Sequence, residues 1–265
     1  MNLLQAVVLG IVQGLTEFLP VSSSGHLVMG ETLLGLETPG VVFETTVHVA
    51  TLVAVCWVYR ARIGGLILGV LRRDPDSLRY AGLLFLASVP VGFVGLTMAD
   101  AVESAFDRPV AAAAALLVTG AFVWTLRRTG PRAERQRPRP RDALGIGVAQ
   151  AFAILPGISR SGTTLAAGTA LGVEPARMAE FSFLMSVPAI AGAAVLQLPE
   201  LGAAGAEIGA STLAAGFVSA LVAGVAAIAI FLRMLRARSF HRFAYYCWVV
   251  GAAYLVAAWL EPALR

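Results

Sequence analysis

The sequence contains no lysine and little charge of either sign. Of its 265 residues 14% are charged and 58% hydrophobic, and the mean hydropathy is +0.78. A soluble domain carries about 25% charged and about 45–50% apolar residues, so a solvated enzyme surface is excluded. Disorder is excluded too, because disordered chains are poor in apolar residues and rich in charge. Cysteine is scarce. Cys56 and Cys247 lie in apolar runs, so neither a disulfide framework nor a thiolate metal site is implied. HExxH, Walker, GxSxG and dinucleotide-binding motifs are missing as well. The first eight residues carry no charged side chain, and Glu17 falls where a cleavage region would lie, so no signal peptide is expected. What remains is a polytopic membrane protein.

A membrane-spanning helix needs about 20 mostly apolar residues. Six candidates run from about Val42 to Tyr59, Tyr80 to Met98, Val110 to Leu126, Ala176 to Leu198, Thr212 to Leu232 and Phe243 to Leu260. Two further apolar stretches are interrupted. Residues 3–35 contain Glu17, Pro20, three serines, Gly25 and His26, and residues 143–171 contain Pro156, Gly157 and Ser159-Arg160-Ser161-Gly162. Non-helical backbone at membrane depth is tolerated only inside protein or beside a water-filled cavity. Each stretch therefore reads as a re-entrant hairpin lining a site.

The two stretches match each other. At an offset of 137, Gly10, Gln13, Ser22, Ser24 and Gly25 fall on Gly147, Gln150, Ser159, Ser161 and Gly162, and at 136 Pro20 and Glu44 fall on Pro156 and Glu180. Three expected loops, 60–79, 127–142 and 233–242, hold sixteen of the twenty arginines, whereas segments 99–109 and 199–211 are acidic. Counting positive residues makes the arginine segments cytoplasmic, which puts both termini outside. Most of the basic charge thus reports topology, and no nucleic-acid partner is implied. Each half, 1–126 and 143–265, has one hairpin and three spans, an odd number that inverts the second half. The expected fold is an all-α membrane domain of six transmembrane helices and two re-entrant hairpins in an inverted-topology repeat. Its site lies where the broken helices meet. Segment 127–142 reads as a solvated cytoplasmic linker near anionic headgroups.

The hairpins carry the reactive groups. Gln13 and Glu17 share one helical face, Pro20 ends that helix, and Ser22, Ser23 and Ser24 offer hydroxyls beside a new helix N-terminus suited to phosphate. Ionisable groups inside membrane segments are costly and point to function, which singles out Glu17 and His26. In the second hairpin Arg160, flanked by Ser159 and Ser161 and followed by Thr163 and Thr164, suits an oxyanion, since guanidinium binds phosphate bidentately. Glu44 and His48, four apart, and Glu180, the match of Glu44, are candidates for supporting roles around the site.

These motifs, the (Glu/Gln)xxxGlu element at Gln13 to Glu17, FLPVSSSGH at 18–26, PGISRSGTT at 156–164 and EFSFLMSVP at 180–188, closely resemble those of the undecaprenyl-diphosphate phosphatase, or bacitracin-resistance, family. The resemblance spans the whole chain. It implies hydrolysis of a polyprenyl diphosphate to the monophosphate and phosphate, recycling the lipid carrier of cell-wall glycan synthesis in the cell membrane. It also implies a divalent cation, magnesium or calcium. Gln13 replaces one carboxylate, so the cation is expected on Glu17 and the substrate diphosphate rather than on a carboxylate pair. Arg160, Ser159, Ser161 and Thr164 are expected to hold the diphosphate. The attacking group is Ser23 assisted by His26, or His26 itself, with Ser23 favoured, and Glu17 orients the histidine or holds the cation.

A flippase or secondary transporter on the same inverted scaffold is the alternative. A phosphatidic-acid-type phosphatase, whose motif Ser23-Ser24-Gly25-His26 loosely resembles, places a second histidine soon after its Ser-Arg pair. Here none follows Arg160 until His241.

Overall fold

A computed structural model describes residues 1–36, 40–197, 208–237 and 239–264. Regular structure among the described residues is helical, apart from one isolated β-bridge between Arg135 and Val173. The helices are α1 (Leu3–Phe18), α2 (Ser23–Leu33), α3 (Gly40–Val58), α4 (Arg60–Leu71), α5 (Pro75–Thr97), α6 (Ala99–Phe106), α7 (Pro109–Thr129), α8 (Pro140–Phe152), α9 (Arg160–Ala170), α10 (Pro175–Leu196), α11 (Ala210–Arg236) and α12 (Phe243–Leu260). Among the described residues five helices are long and apolar enough to cross a membrane, or six if α3 and α4, bent by 76° at their junction, are taken as one span. The bundle's outer surface is apolar: Phe85 is 73% and Trp259 74% exposed. Such surface is unfavourable against water and natural against lipid.

The interrupted stretches fold as antiparallel helix pairs, α1–α2 and α8–α9. Helix α1 starts on a capping box between Asn2 and Gln5 and stops because Leu19, preceding Pro20, adopts an extended backbone. Helix α1 then packs along α11 and α8 along α5. Both contacts depend on a missing side chain: a Cβ on Gly10 would lie 2.5 Å from the Gly216 carbonyl oxygen, and one on Gly147 2.5 Å from that of Ala87. The hairpin tips also touch, since a Cβ on Gly25 would meet the Gly157 Cα at 2.7 Å. Beneath them an aromatic chain runs toward the arginine-rich end. Phe18 packs edge-on against Phe183 at 5.5 Å, Phe183 against Phe231 at 4.9 Å, and Phe231 against Phe240 at 4.6 Å.

Two sequence expectations are corrected. Segment 60–79 contains a helix, because Ile63–Leu71 is an apolar run. Helix α4 buries none of its residues against the bundle. Segment 127–142 is more than a solvated loop. The Arg135 guanidinium pairs with Asp142 at 2.6 Å and donates to the Leu171 carbonyl, while the Arg135 backbone bonds Gly172 and Glu174. The linker thereby ties the start of α8 to the end of α9. Most of the acidic segment 199–211 lies outside the described residues.

Candidate active site

Glu17, 8% exposed, sits at the end of α1 and gathers neighbours from four helices. Along α1, Gln13 Nε2 donates to Glu17 Oε2 at 3.1 Å. From the first residue of α2, Ser23 Oγ donates to the same oxygen at 2.5 Å. From the first residue of α9, Arg160 Nη2 donates to Glu17 Oε1. His48 of α3 brings Nε2 to 3.9 Å from Glu17 Oε2, its other ring nitrogen being held at 2.8 Å by the Glu44 carbonyl. A buried carboxylate is tolerated when paired and hydrogen-bonded.

The two serine motifs cap their helices alike. Ser22 Oγ accepts from the Gly25 amide at 3.3 Å, and Ser159 Oγ from the Gly162 amide at 3.1 Å. The first amides of α2 and α9 have no intrahelical acceptor, so two positive helix ends and one guanidinium converge around Glu17. Ser22 takes φ +66° and ψ +100°, a conformation costly for a non-glycine residue, of order 1–3 kcal/mol. In the second hairpin the positive φ falls instead on Gly157, at +91°.

These groups line one end of a cavity of about 270 Å³. Its polar wall comprises Thr16, Glu17, Ser22, Ser23, Ser24, Ser159 and Arg160, with Glu44, His48 and Gln150 beside them. Its apolar wall comes from Val91, Phe106, Ile154, Ile158 and Ala189, Ile190, Ala193 and Ala194 of α10, and Thr45 and Gln197 also line it. Since α5 and α10 both run away from the arginine-rich segments, these late residues carry the cavity toward the opposite end of the bundle.

Other expected residues lie elsewhere. Gln13, Ser161, Thr163 and Thr164 are buried behind the cavity rather than lining it. Ser161 Oγ donates to the Leu19 carbonyl at 3.0 Å, joining the hairpins, and Thr164 bonds Ser182 at 2.7 Å. His26 is not brought to Ser23 or Glu17. Its ring nitrogens contact the Ser22 carbonyl at 2.7 Å and the Tyr246 hydroxyl at 3.0 Å, and its ring stacks on Tyr246. Glu180 is not near the site: it pairs with Arg62 at 2.6 Å in a second cavity of about 440 Å³ at the arginine-rich end. Sequence reasoning missed Tyr246, which is 220 residues from its histidine, and gave Gln150 no role although it matches Gln13.

Among the described residues no three His, Cys, Asp or Glu side chains converge as a metal cage. Glu17 and Glu44 nonetheless line the same cavity. That donor set fits a cation held by one or two carboxylates and by substrate phosphates, the habit of magnesium.

The pattern of the bacitracin resistance protein BacA family matches residues 6–253. Similar proteins include the undecaprenyl-diphosphatases of Desulforapulum autotrophicum, 40% identical over 98% of this chain and 100% of the relative, and of Rubrobacter xylanophilus, 41% identical over 98% and 99%. The undecaprenyl-diphosphatase of Methanobrevibacter smithii is 39% identical over 95% and 96%. The chain belongs to this family.

Proposed function

We propose that the protein hydrolyses undecaprenyl diphosphate to the monophosphate and inorganic phosphate, recycling a lipid carrier for cell-wall glycan synthesis. One observation carries the reading: Ser23 and Arg160, the first residues of two facing helices, both point at the buried Glu17 in a cavity that is polar on one side and apolar on the other. The polar wall suits a diphosphate and the apolar wall an isoprenoid. The relatives' names specify the same substrate.

Arg160 and the helix ends bind the diphosphate and stabilise the charge that develops on the transferring phosphoryl group. As Arg160 turns to the phosphates, Glu17 is left with Ser23 and Gln13 and takes the Ser23 proton. Ser23 Oγ bonds the terminal phosphorus, the bond to the bridging oxygen breaks, and polyprenyl monophosphate departs. Water then attacks the phosphoserine, releasing phosphate and restoring the hydroxyl. Glu17, with Glu44 near it, would hold a magnesium or calcium ion, which when bound neutralises phosphate charge.

Positive-inside orientation makes the arginine-rich end cytoplasmic, so the site faces the outer side of the cytoplasmic membrane, where both termini lie. Two inverted halves, 1–126 and 143–265, joined by 127–142, account for the matched glycine contacts of α1 on α11 and α8 on α5. They also account for Glu180: inversion sends the equivalent of Glu44 to the opposite face.

The test is phosphate release from polyprenyl diphosphate by pure protein in detergent, with and without a chelator. Release that the chelator suppresses is expected. No release would favour lipid transport instead.

A further inference from the structure

We propose that Gln150 contacts the substrate, its amide donating to the diphosphate; this rests on the hydrolase reading above. Gln150 is 2% exposed and lines the cavity, and neither its Nε2 nor its Oε1 has a hydrogen-bond partner. Buried polar groups are nearly always paired, and each exception calls for a reason. Among the described residues, Gln13, Glu31, Thr163 and Thr169 also bury an unpaired side-chain atom, yet none of them lines the cavity.

The match with Gln13 explains why the amide is free. On α1 the residue four positions on is Glu17, and Gln13 Nε2 is spent on its carboxylate at 3.1 Å. In the second half α8 ends at Phe152, and the residue four positions after Gln150 is Ile154, in the turn that follows, which offers no side-chain acceptor. The same amide is thus inward-facing in both halves, but only one half supplies its partner. An ionised diphosphate has acceptors and no donors, so Nε2 is the atom that meets it. Oε1 then accepts from water in the cavity.

The experiment compares wild type with Gln150→Leu and Gln150→Glu in detergent, measuring KM, kcat and Tm, together with calorimetric binding of soluble pyrophosphate. Losing a hydrogen bond to a charged group predicts a KM for Gln150→Leu raised about tenfold to a hundredfold. Its kcat should stay within about threefold, because the contact is made before the transition state as well as in it. Gln150→Glu sets a carboxylate against the diphosphate and should raise KM further. Leucine removes two unpaired polar atoms, so Tm should hold or rise. A residue that only packs would lower Tm and leave KM unchanged, and that result overturns the proposal. So does pyrophosphate affinity that is absent in wild type or identical in wild type and Gln150→Leu. If wild type releases no phosphate from lipid but binds pyrophosphate through Gln150, the hydrolase reading falls and the contact stands.

Discussion

The two hairpins have similar backbones and different chemistry. Position for position, Glu17 stands opposite Ile154, Ser23 opposite Arg160, and His26 opposite Thr163. Each hairpin keeps the serine cap and the closely packed glycines. What diverged is the first residue of the second helix, a hydroxyl in one hairpin and a guanidinium in the other, and both reach the carboxylate of Glu17. The strained position differs as well: the first hairpin places positive φ on Ser22, beside Ser23, whereas the second places it on Gly157. On the proposed mechanism the first hairpin reacts and the second binds.

The comparison breaks most sharply at Ser23, at Arg160 opposite it, and at the cap Ser159. Ser23→Ala should remove nearly all phosphate release, by about 10⁴-fold or more as for loss of a nucleophile. Ser159→Ala should cost only a helix cap, about 1 kcal/mol of stability. Equal activity losses would deny the division of labour. Arg160→Ala should lower kcat by about 10²–10³-fold, the scale of a lost transition-state donor. Turnover unchanged in Arg160→Ala would show that the second hairpin does not bind the diphosphate.

Smaller effects sharpen the contrast in strain. Gly157→Ala would force a Cβ to 2.0 Å from the Ala112 carbonyl at a positive φ, and overpacking alone costs about 1–3 kcal/mol. Ser22→Gly relieves its φ, while glycine at a cap costs only a few tenths of a kcal/mol, so its Tm should not fall. A loss of Tm in Ser22→Gly as large as in Gly157→Ala would remove the distinction. Least affected is His26→Ala: with its ring bonded to Ser22 and Tyr246, it should keep kcat within about tenfold of wild type. A loss approaching that of Ser23→Ala would make His26 the attacking group.

The spans were legible because hydropathy adds up locally over about 20 residues, and the hairpins because Pro20 and the Pro156-Gly157 pair interrupt apolar runs. Helix α4 was hidden by the arginines around it. Glu17 was legible from the cost of charge in apolar context and Arg160 from its isolation among hydroxyls, and the structure brings Glu17, Ser23 and Arg160 together. The site's pairings were not legible, since Glu17 and Arg160 are 143 residues apart and His26 and Tyr246 are 220 apart. Glu180 was misplaced because it lies in the first turns of α10, at the arginine-rich end, where it pairs with Arg62, whereas Ser159 and Arg160 share the cavity with their counterparts Ser22 and Ser23. Arg135 was read as solvated because its partners Leu171 and Gly172 belong to the far end of another hairpin.

The 143-residue gap between Glu17 and Arg160 fixes an order of events at the ribosome. The carboxylate is made with the first half, long before its guanidinium, and Ser23, Gln13 and His48 are the neighbours that half supplies. On the proposed mechanism, the nascent chain has its attacking serine before the arginine that would hold the diphosphate. Competence arrives late in synthesis, when the two halves close on each other.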